Sequence, residues 1–135
     1  MLTGLAKARG LLSGAGDVAC ERDAFEKRVI DSLPGSKVVG AEADRLWNTS
    51  MLVMPAHGNV KWLTRLARHG FQISTGSACS SGKENPSHVM MAMGLDFKEM
   101  GRVLRISAGW ETAKEDWFGL SDALSEVWKL SLIHI

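Results

Sequence analysis

Cysteine is scarce in this chain and long apolar runs are missing. Its two cysteines, Cys20 and Cys79, lie far apart and in no Cys-x-x-Cys arrangement. They offer no zinc site and suit a reducing, cytoplasmic compartment. No apolar stretch approaches the roughly 20 residues that span a membrane. The N-terminus lacks a signal-peptide pattern, so no membrane association is expected. A net charge of +1 argues neither for a nucleic-acid patch nor for an acidic partner surface. No internal repeat or low-complexity segment interrupts the chain. What is present, 45% hydrophobic and 23% charged residues in 135, is ordinary for one modest globular core.

Periodicity predicts alternating elements. Leu2 to Leu12 reads as a helix, with Leu2, Leu5, Ala6, Arg9 and Leu12 at helical spacing, and Ser13-Gly14-Ala15-Gly16 interrupts it. Asp17 suits the N-cap of a second helix running to about Leu33, with Phe25, Val29, Ile30 and Leu33 as its buried stripe. Pro34-Gly35 ends that helix in a turn. Lys37 to Gly40 and Asn48 to Met54 read as strands, followed by a turn over residues 55–59. Val60 to Arg68 is expected to be a helix with Leu63, Leu66 and Ala67 on one side, closed by Gly70. Phe71 to Ser74 reads as a strand. Asn85 is expected to cap a helix that has Pro86 at its first position. Val103 to Ser107 reads as a strand. A last helix is expected from a Thr112 cap to about Lys129, with Phe118, Leu120, Leu124 and Val127 on its apolar face. The order predicts an α+β domain: a short, mostly antiparallel sheet with helices packed on one face.

The segment from Gln72 to Gly82, Gln-Ile-Ser-Thr-Gly-Ser-Ala-Cys-Ser-Ser-Gly, carries the clearest chemical signal. A thiol kept for packing normally has apolar neighbours. Here it is flanked by glycines and hydroxyls, as a thiol that must reach a substrate and withdraw would require. An exposed Ser/Gly loop with an incidental cysteine is the plainer alternative. Downstream come Asn85-Pro86-Ser87-His88-Val89, Met91-Ala92-Met93-Gly94-Leu95, and Val103-Leu104-Arg105-Ile106-Ser107-Ala108-Gly109. This series, in this order, resembles the C-terminal part of the cysteine desulfurases. These are pyridoxal-phosphate enzymes of the class V aminotransferase family, here of the NifS/IscS-like group. The likeness runs from the first helix to about Trp128 and is densest from Gln72 to Gly109.

That resemblance implies the small C-terminal domain of a fold type I pyridoxal-phosphate enzyme. Residues 1–35 would link it to a large domain, and residues 36–129 would form the small domain itself. Cys79 matches the family's catalytic cysteine. Ser77, Ala78, Ser80 and Ser81 would form its active-site loop, and the glycines at 76 and 82 would give that loop its freedom. The implied reaction converts L-cysteine to L-alanine while the sulfur remains on Cys79 as a persulfide. A sulfur acceptor or iron–sulfur scaffold protein would receive it, in cluster assembly or thiolation. Arg105 matches the arginine that binds the substrate carboxylate, for which a rigid guanidinium fork is suited. By its residues alone it reads as a solvated strand arginine. The complete enzyme is implied to be a homodimer.

The lysine that would hold pyridoxal phosphate follows a histidine in this family, and no His-Lys pair occurs here. The isolated chain is therefore expected to be inactive. Lys83 reads as a solvated lysine, and His57, His69 and His88 as surface histidines without catalytic duty. Cys20 is expected to be a buried or half-buried spectator within its helix. The Met90–Met93 run reads as adaptable packing rather than a metal site. Trp110 stands where the resemblance implies a charged residue in many members. The last six residues, Leu130 to Ile135, match a reading frame of a transposon end used in library preparation. They are expected to be a non-native tail, with a short β-like tail as the alternative. Two other function classes fit the same residues: a standalone persulfide carrier or interaction module, and a structural remnant with an unreactive Cys79. Within the enzyme class, a selenocysteine lyase-type fragment is a further alternative.

Overall fold

The computed structural model describes residues 15–76 and 87–133. The expected helix over Leu2–Leu12 and the segment 77–86 lie outside them. The described elements are α1 (Ala15–Ser32), β1 (Lys37–Val38), β2 (Thr49–Val53), α2 (Asn59–Arg68), α3 (His88–Ala92), α4 (Phe97–Met100), β3 (Val103–Ser107) and α5 (Lys114–Ile133). The strands form one antiparallel sheet in the order β1-β2-β3. This is the α+β architecture that the sequence predicts.

Strand alternation gives the sheet two distinct faces. β2 and β3 pair Leu52 with Leu104 and Ser50 with Ile106. The leucines and Ile106 enter the main core, which α1, α2 and α5 cover with Phe25, Val29, Leu33, Trp62, Leu66, Trp117, Leu120, Leu124 and Val127. The alternate pairs, Met51 with Arg105 and Val53 with Val103, face the other way. There Val53 and Val103 join Val39, Met90 and Leu95 in a smaller cluster, edged by Met51 and Met100. The helices thus crowd one face, while the second face carries a small methionine-rich layer. Burying each large side chain of the main core contributes roughly 1.5–3 kcal/mol.

Several helix details differ from expectation. Asp17 lies within α1 rather than at its cap. Phe25, Val29 and Leu33 follow an i, i+4 row and are fully buried, but Ile30 sits off that row and is 39% exposed. In α2, Trp62 and Leu66 are buried and Leu63 is half-buried, while Ala67 is exposed. Trp62 anchors the helix by donating its indole N–H to the Ala56 carbonyl at 2.8 Å. Gly70 closes α2 at φ +85°. Its N–H reaches Ala67 O and the Phe71 N–H reaches Leu66 O, at 3.0 and 3.1 Å. This Schellman pattern requires the left-handed conformation that glycine adopts freely. Thr112 does not cap α5. Its hydroxyl accepts from the Gly109 N–H, while the Asp116 carboxylate accepts from the Ala113 N–H at the start of the helix. Phe118 is half-buried beneath the Arg28 guanidinium, 4.4 Å from its ring centre. α5 continues through Leu130–Ile133, with Ser131 buried. Those four residues are therefore helical and not β-like.

Candidate functional site

Arg105 occupies the middle of β3. Its flanking residues, Leu104 and Ile106, are fully or nearly buried in the main core, so alternation turns Arg105 toward the methionine-rich face. It is half-buried there. Among the described residues its guanidinium has no ion-pair or side-chain hydrogen-bond partner; the other described arginines with such partners are Arg22, Arg28, Arg45 and Arg102. A guanidinium held on a strand, with no carboxylate among the described residues claiming it, can receive a carboxylate from outside in two-point fashion.

The backbone of Arg105 is held on both sides. Met51 of β2 is its partner on one side. On the other, Ser74 forms an isolated antiparallel bridge with it. Of the expected Phe71–Ser74 strand, this single bridge is formed. Gly76 then lies against the Arg105 face. A Cβ placed on Gly76 would overlap the Met90 Cε methyl, and would come within 2.6 Å of Met51 Cε and 3.1 Å of Val103 Cγ1. Gly76 thus serves close approach here, not the loop freedom expected of it.

Cys79 follows three residues later, with Ser77, Ala78, Ser80, Ser81, Gly82 and Lys83. All of these lie outside the described residues, as do Asn85 and Pro86. The chain is described again at Ser87. It is Ser87 that caps α3, its Oγ accepting from Met90 N at 3.4 Å. Met90 is 2% exposed and packs in the same cluster as Val103. Gly76 and Met90, which flank the residues 77–86 in sequence, therefore both lie on the face of the sheet that bears Arg105.

Beyond Arg105, the end of β3 is tied to the start of β2. Ala108 N–H donates to Asn48 O, and Asn48 Nδ2 donates to Ala108 O, at 2.9 and 3.0 Å. Trp110 then stacks on Trp47, with centroids 4.3 Å apart. The tryptophan that departs from the charged residue implied by the resemblance thus has an aromatic partner. A cavity of about 110 Å³ lies on the core side of β3, lined in part by Gln72, Ser107, Thr112, Asp116 and Trp117. It does not include Arg105.

Other candidate residues stand apart. His57 is half-buried and adopts φ +63°. Its Nδ1 lies 3.2 Å from Lys61 Nζ. Burial, reinforced by the charges of Lys61 and Arg65, holds its pKa below the ordinary histidine value. It is not the solvated turn histidine expected. His69 and His88 are exposed, and His69 stands 3.9 Å from Glu126. Cys20 is exposed on α1 rather than buried. In the methionine run Met90 is core, whereas Met91 and Met93 are 47% and 46% exposed. No group of metal-ligating side chains occurs among the described residues.

Pyridoxal phosphate requires a lysine amine for its Schiff base. Several described lysines are already engaged: Lys37 with Glu99, Lys27 with Asp31, and Lys61 with His57. Lys114 lies over the Phe118 ring. None is preceded by histidine. What the described residues offer on the methionine-rich face is the half-buried guanidinium of Arg105.

No protein-family model matches the chain. It is 37% identical over 110 residues to a cysteine desulfurase of Rhodobacter capsulatus, covering 82% of this chain and 28% of that protein. It is 35% identical over 117 residues to a cysteine desulfurase of Cereibacter sphaeroides, covering 84% and 30%. The fold superposes on a NifS-like protein of Rickettsia africae with a TM-score of 0.71 at 22% identity, covering 85% of this chain and 29% of that one. A second NifS-like structure matches with a TM-score of 0.70 at 19% identity, covering 86% and 28%. This chain belongs to the cysteine desulfurase family and spans 28–30% of the length of these two curated relatives.

Proposed function

We propose that the chain is a C-terminal part of a pyridoxal-phosphate-dependent cysteine desulfurase, contributing the sulfur-accepting thiol and the substrate carboxylate clamp. One observation carries this reading. The Arg105 guanidinium lacks a partner among the described residues, on the face that also carries Gly76 and Met90, the described residues on either side of Cys79 in sequence. In the proposed reaction Arg105 holds the carboxylate of L-cysteine. The Cys79 thiolate attacks the substrate sulfur, forming an S–S bond as the Cβ–S bond breaks. The electron pair left on Cβ is taken up with a proton, alanine departs, and Cys79 retains a persulfide. Pyridoxal phosphate, which would be held by lysine-bearing segments outside this chain, would supply the electron sink for Cβ–S cleavage. Residues 1–35 lead in from those segments, with Phe25, Val29 and Leu33 of that stretch packed into the core of the small domain, residues 36–129. The complete enzyme works as a homodimer and passes sulfur to an acceptor in iron–sulfur cluster assembly or thiolation.

The test compares the chain alone with the chain supplied with a relative's large domain, both given pyridoxal phosphate and L-cysteine. Alanine and sulfide release is expected only in the complemented sample and is expected to vanish in Cys79→Ala. Release by the lone chain would refute the missing cofactor site. Silence in both, with Cys79 still accepting a persulfide from a donor enzyme, would instead identify a carrier module.

A further inference from the structure

Basic side chains gather where the start of α2 meets α4. α2 carries Lys61, Arg65 and Arg68 and no acidic residue. At i, i+4 and i+7 these three share one face and span about 10 Å along the helix. At the N-terminal end of that row lies an open groove of about 550 Å³, whose walls include His57, Gly58, Phe97, Lys98 and Arg102. Main-chain ties fix its shape. The Asn59 N–H donates to Gly101 O at 2.8 Å, and Arg102 Nη1 donates to Pro55 O at 2.8 Å. Gly58, at the N-cap, supplies no capping side chain, and the first turn of α2 holds no acidic residue. No side chain of that turn therefore offsets the positive end of the helix dipole. Among the described residues, none of Lys61, Arg65, Arg68, Lys98 and Arg102 pairs with a carboxylate. The Glu99 carboxylate, on α4, is taken by Lys37 Nζ and the Asp96 N–H. Beside these cations Phe97 is 71% exposed. The chain's net charge of +1 thus conceals a local excess of positive charge next to an uncovered aromatic ring.

We propose that this groove and the basic row of α2 form a docking surface for an acidic segment of a partner protein, one that carries an apolar side chain among its carboxylates. Charge complementarity selects the carboxylates, which meet Lys98 and Lys61 at the groove and Arg65 and Arg68 along the helix. The apolar side chain covers Phe97, as aromatic residues are covered at the centre of protein interfaces. Lys61, Arg68 and Lys98 are exposed, so their charges act mainly on the association rate and are sensitive to salt. A near-neutral chain lacks the broad positive field that draws a nucleic acid. A short acidic segment needs only the local one. Nothing in this assignment depends on the desulfurase reaction.

The test titrates the whole chain into a dye-labelled peptide of alternating glutamate and leucine and follows fluorescence anisotropy. Binding is expected at low ionic strength and should weaken as salt rises. Lys61→Glu and Lys98→Glu each remove an attraction and add a repulsion, and each should weaken binding roughly three- to tenfold. Lys27→Glu makes the same change in net charge on α1, where Lys27 already pairs with Asp31, and should leave binding nearly unchanged. Phe97→Ser should weaken the leucine-containing peptide but not an all-glutamate peptide of equal length. All four side chains are exposed, so circular dichroism should match wild type in every variant. Absence of binding at low salt would overturn the docking surface. So would equal weakening by Lys27→Glu, which would reduce the effect to net charge, or a Phe97→Ser variant that binds both peptides as wild type does. Tighter binding of a single-stranded oligonucleotide, lost in Lys61→Glu and Lys98→Glu, would assign the surface to nucleic acid instead. Displacement of the peptide by a relative's large domain would assign it to that domain, and would equally overturn the separate partner.

Discussion

Ser74 and Arg105 exchange both of their backbone hydrogen bonds, Ser74 N to Arg105 O at 3.1 Å and Arg105 N to Ser74 O at 2.7 Å. This single bridge fixes β3 on the side away from Met51 and sets the point from which the cysteine-bearing segment departs. Arg105 spends both backbone groups on Ser74, so Met51 across β2 is its non-hydrogen-bonded neighbour.

Removing one donor from this bridge should have a local effect. Ser74→Pro deletes the N–H that reaches Arg105 O. The expected cost is about 0.5–1.5 kcal/mol in chemical unfolding, the ordinary worth of one such bond. The diagnostic readout is hydrogen exchange. The Arg105 amide, which donates to Ser74 O, should lose protection, while the Leu104 and Ile106 amides remain protected. Unchanged protection at Arg105 would show that the bridge does not persist in solution.

A part-buried ion pair supplies a larger effect. Arg45 makes two hydrogen bonds to Glu26, Nη1 to Oε1 at 2.7 Å and Nη2 to Oε2 at 2.9 Å. Their side chains are 17% and 8% exposed. The Glu26 hydrogen bond outweighs burial and raises the Arg45 pKa above its ordinary value. The pair ties α1 to the connection between β1 and β2. Breaking such a pair from one side costs about 3–5 kcal/mol, because the remaining charge is left buried. Glu26→Ala should show this loss in urea titration. The double variant Glu26→Leu/Arg45→Met should recover most of it. A loss below about 1 kcal/mol would place the pair in the class of exposed ion pairs.

These contacts also mark where the sequence could be read. β3 is found where predicted, Val103–Ser107, and β2 is shorter than predicted by one residue at each end, because alternation is a local signal. The direction of Arg105 follows from the same alternation. The Arg45–Glu26 pair was not legible, since nothing local links a loop arginine to a helical glutamate nineteen positions earlier. Trp62 was missed as a core residue because three better-spaced aliphatic residues drew the stripe. Cys20 was placed inside on residue type alone, and its exposure depends on which side of α1 meets α5. Glycine at 76 was read as freedom. Only packing reveals the methyl groups that leave it no room.

Acid should weaken the fold in two separable steps. The His57 pKa is depressed, first by burial and then by Lys61 and Arg65. Between the folded and ordinary values the unfolded chain binds more protons, so stability rises with pH there. The contribution is complete above the ordinary value of 6.5 and is lost as pH falls through the folded one. His57→Asn removes the titration and tolerates the positive φ. Its urea midpoint should therefore be flatter than wild type between about pH 5 and 7.5. Glu99 contributes below that range. Its carboxylate accepts from Lys37 Nζ and from the Asp96 N–H, which lowers its pKa beneath the ordinary 4.5. That contribution is present above 4.5 and disappears as pH falls through the folded value. A wild-type slope near pH 6 that survives in His57→Asn would assign it to another group.

The carboxylate clamp makes the sharpest functional prediction. Arg105→Lys keeps the charge but loses the two-point fork, and Arg105→Met loses both. In the complemented enzyme the lysine variant should raise KM for L-cysteine by roughly tenfold or more, as expected when a charge-assisted hydrogen bond worth about 1.5–3 kcal/mol is lost. The methionine variant should be weaker still. Because the side chain has no partner among the described residues, neither change should lower the melting temperature of the isolated chain appreciably. A rise in KM at unchanged melting temperature assigns Arg105 to the substrate, whereas unchanged KM with loss of stability would make it a structural residue of β3.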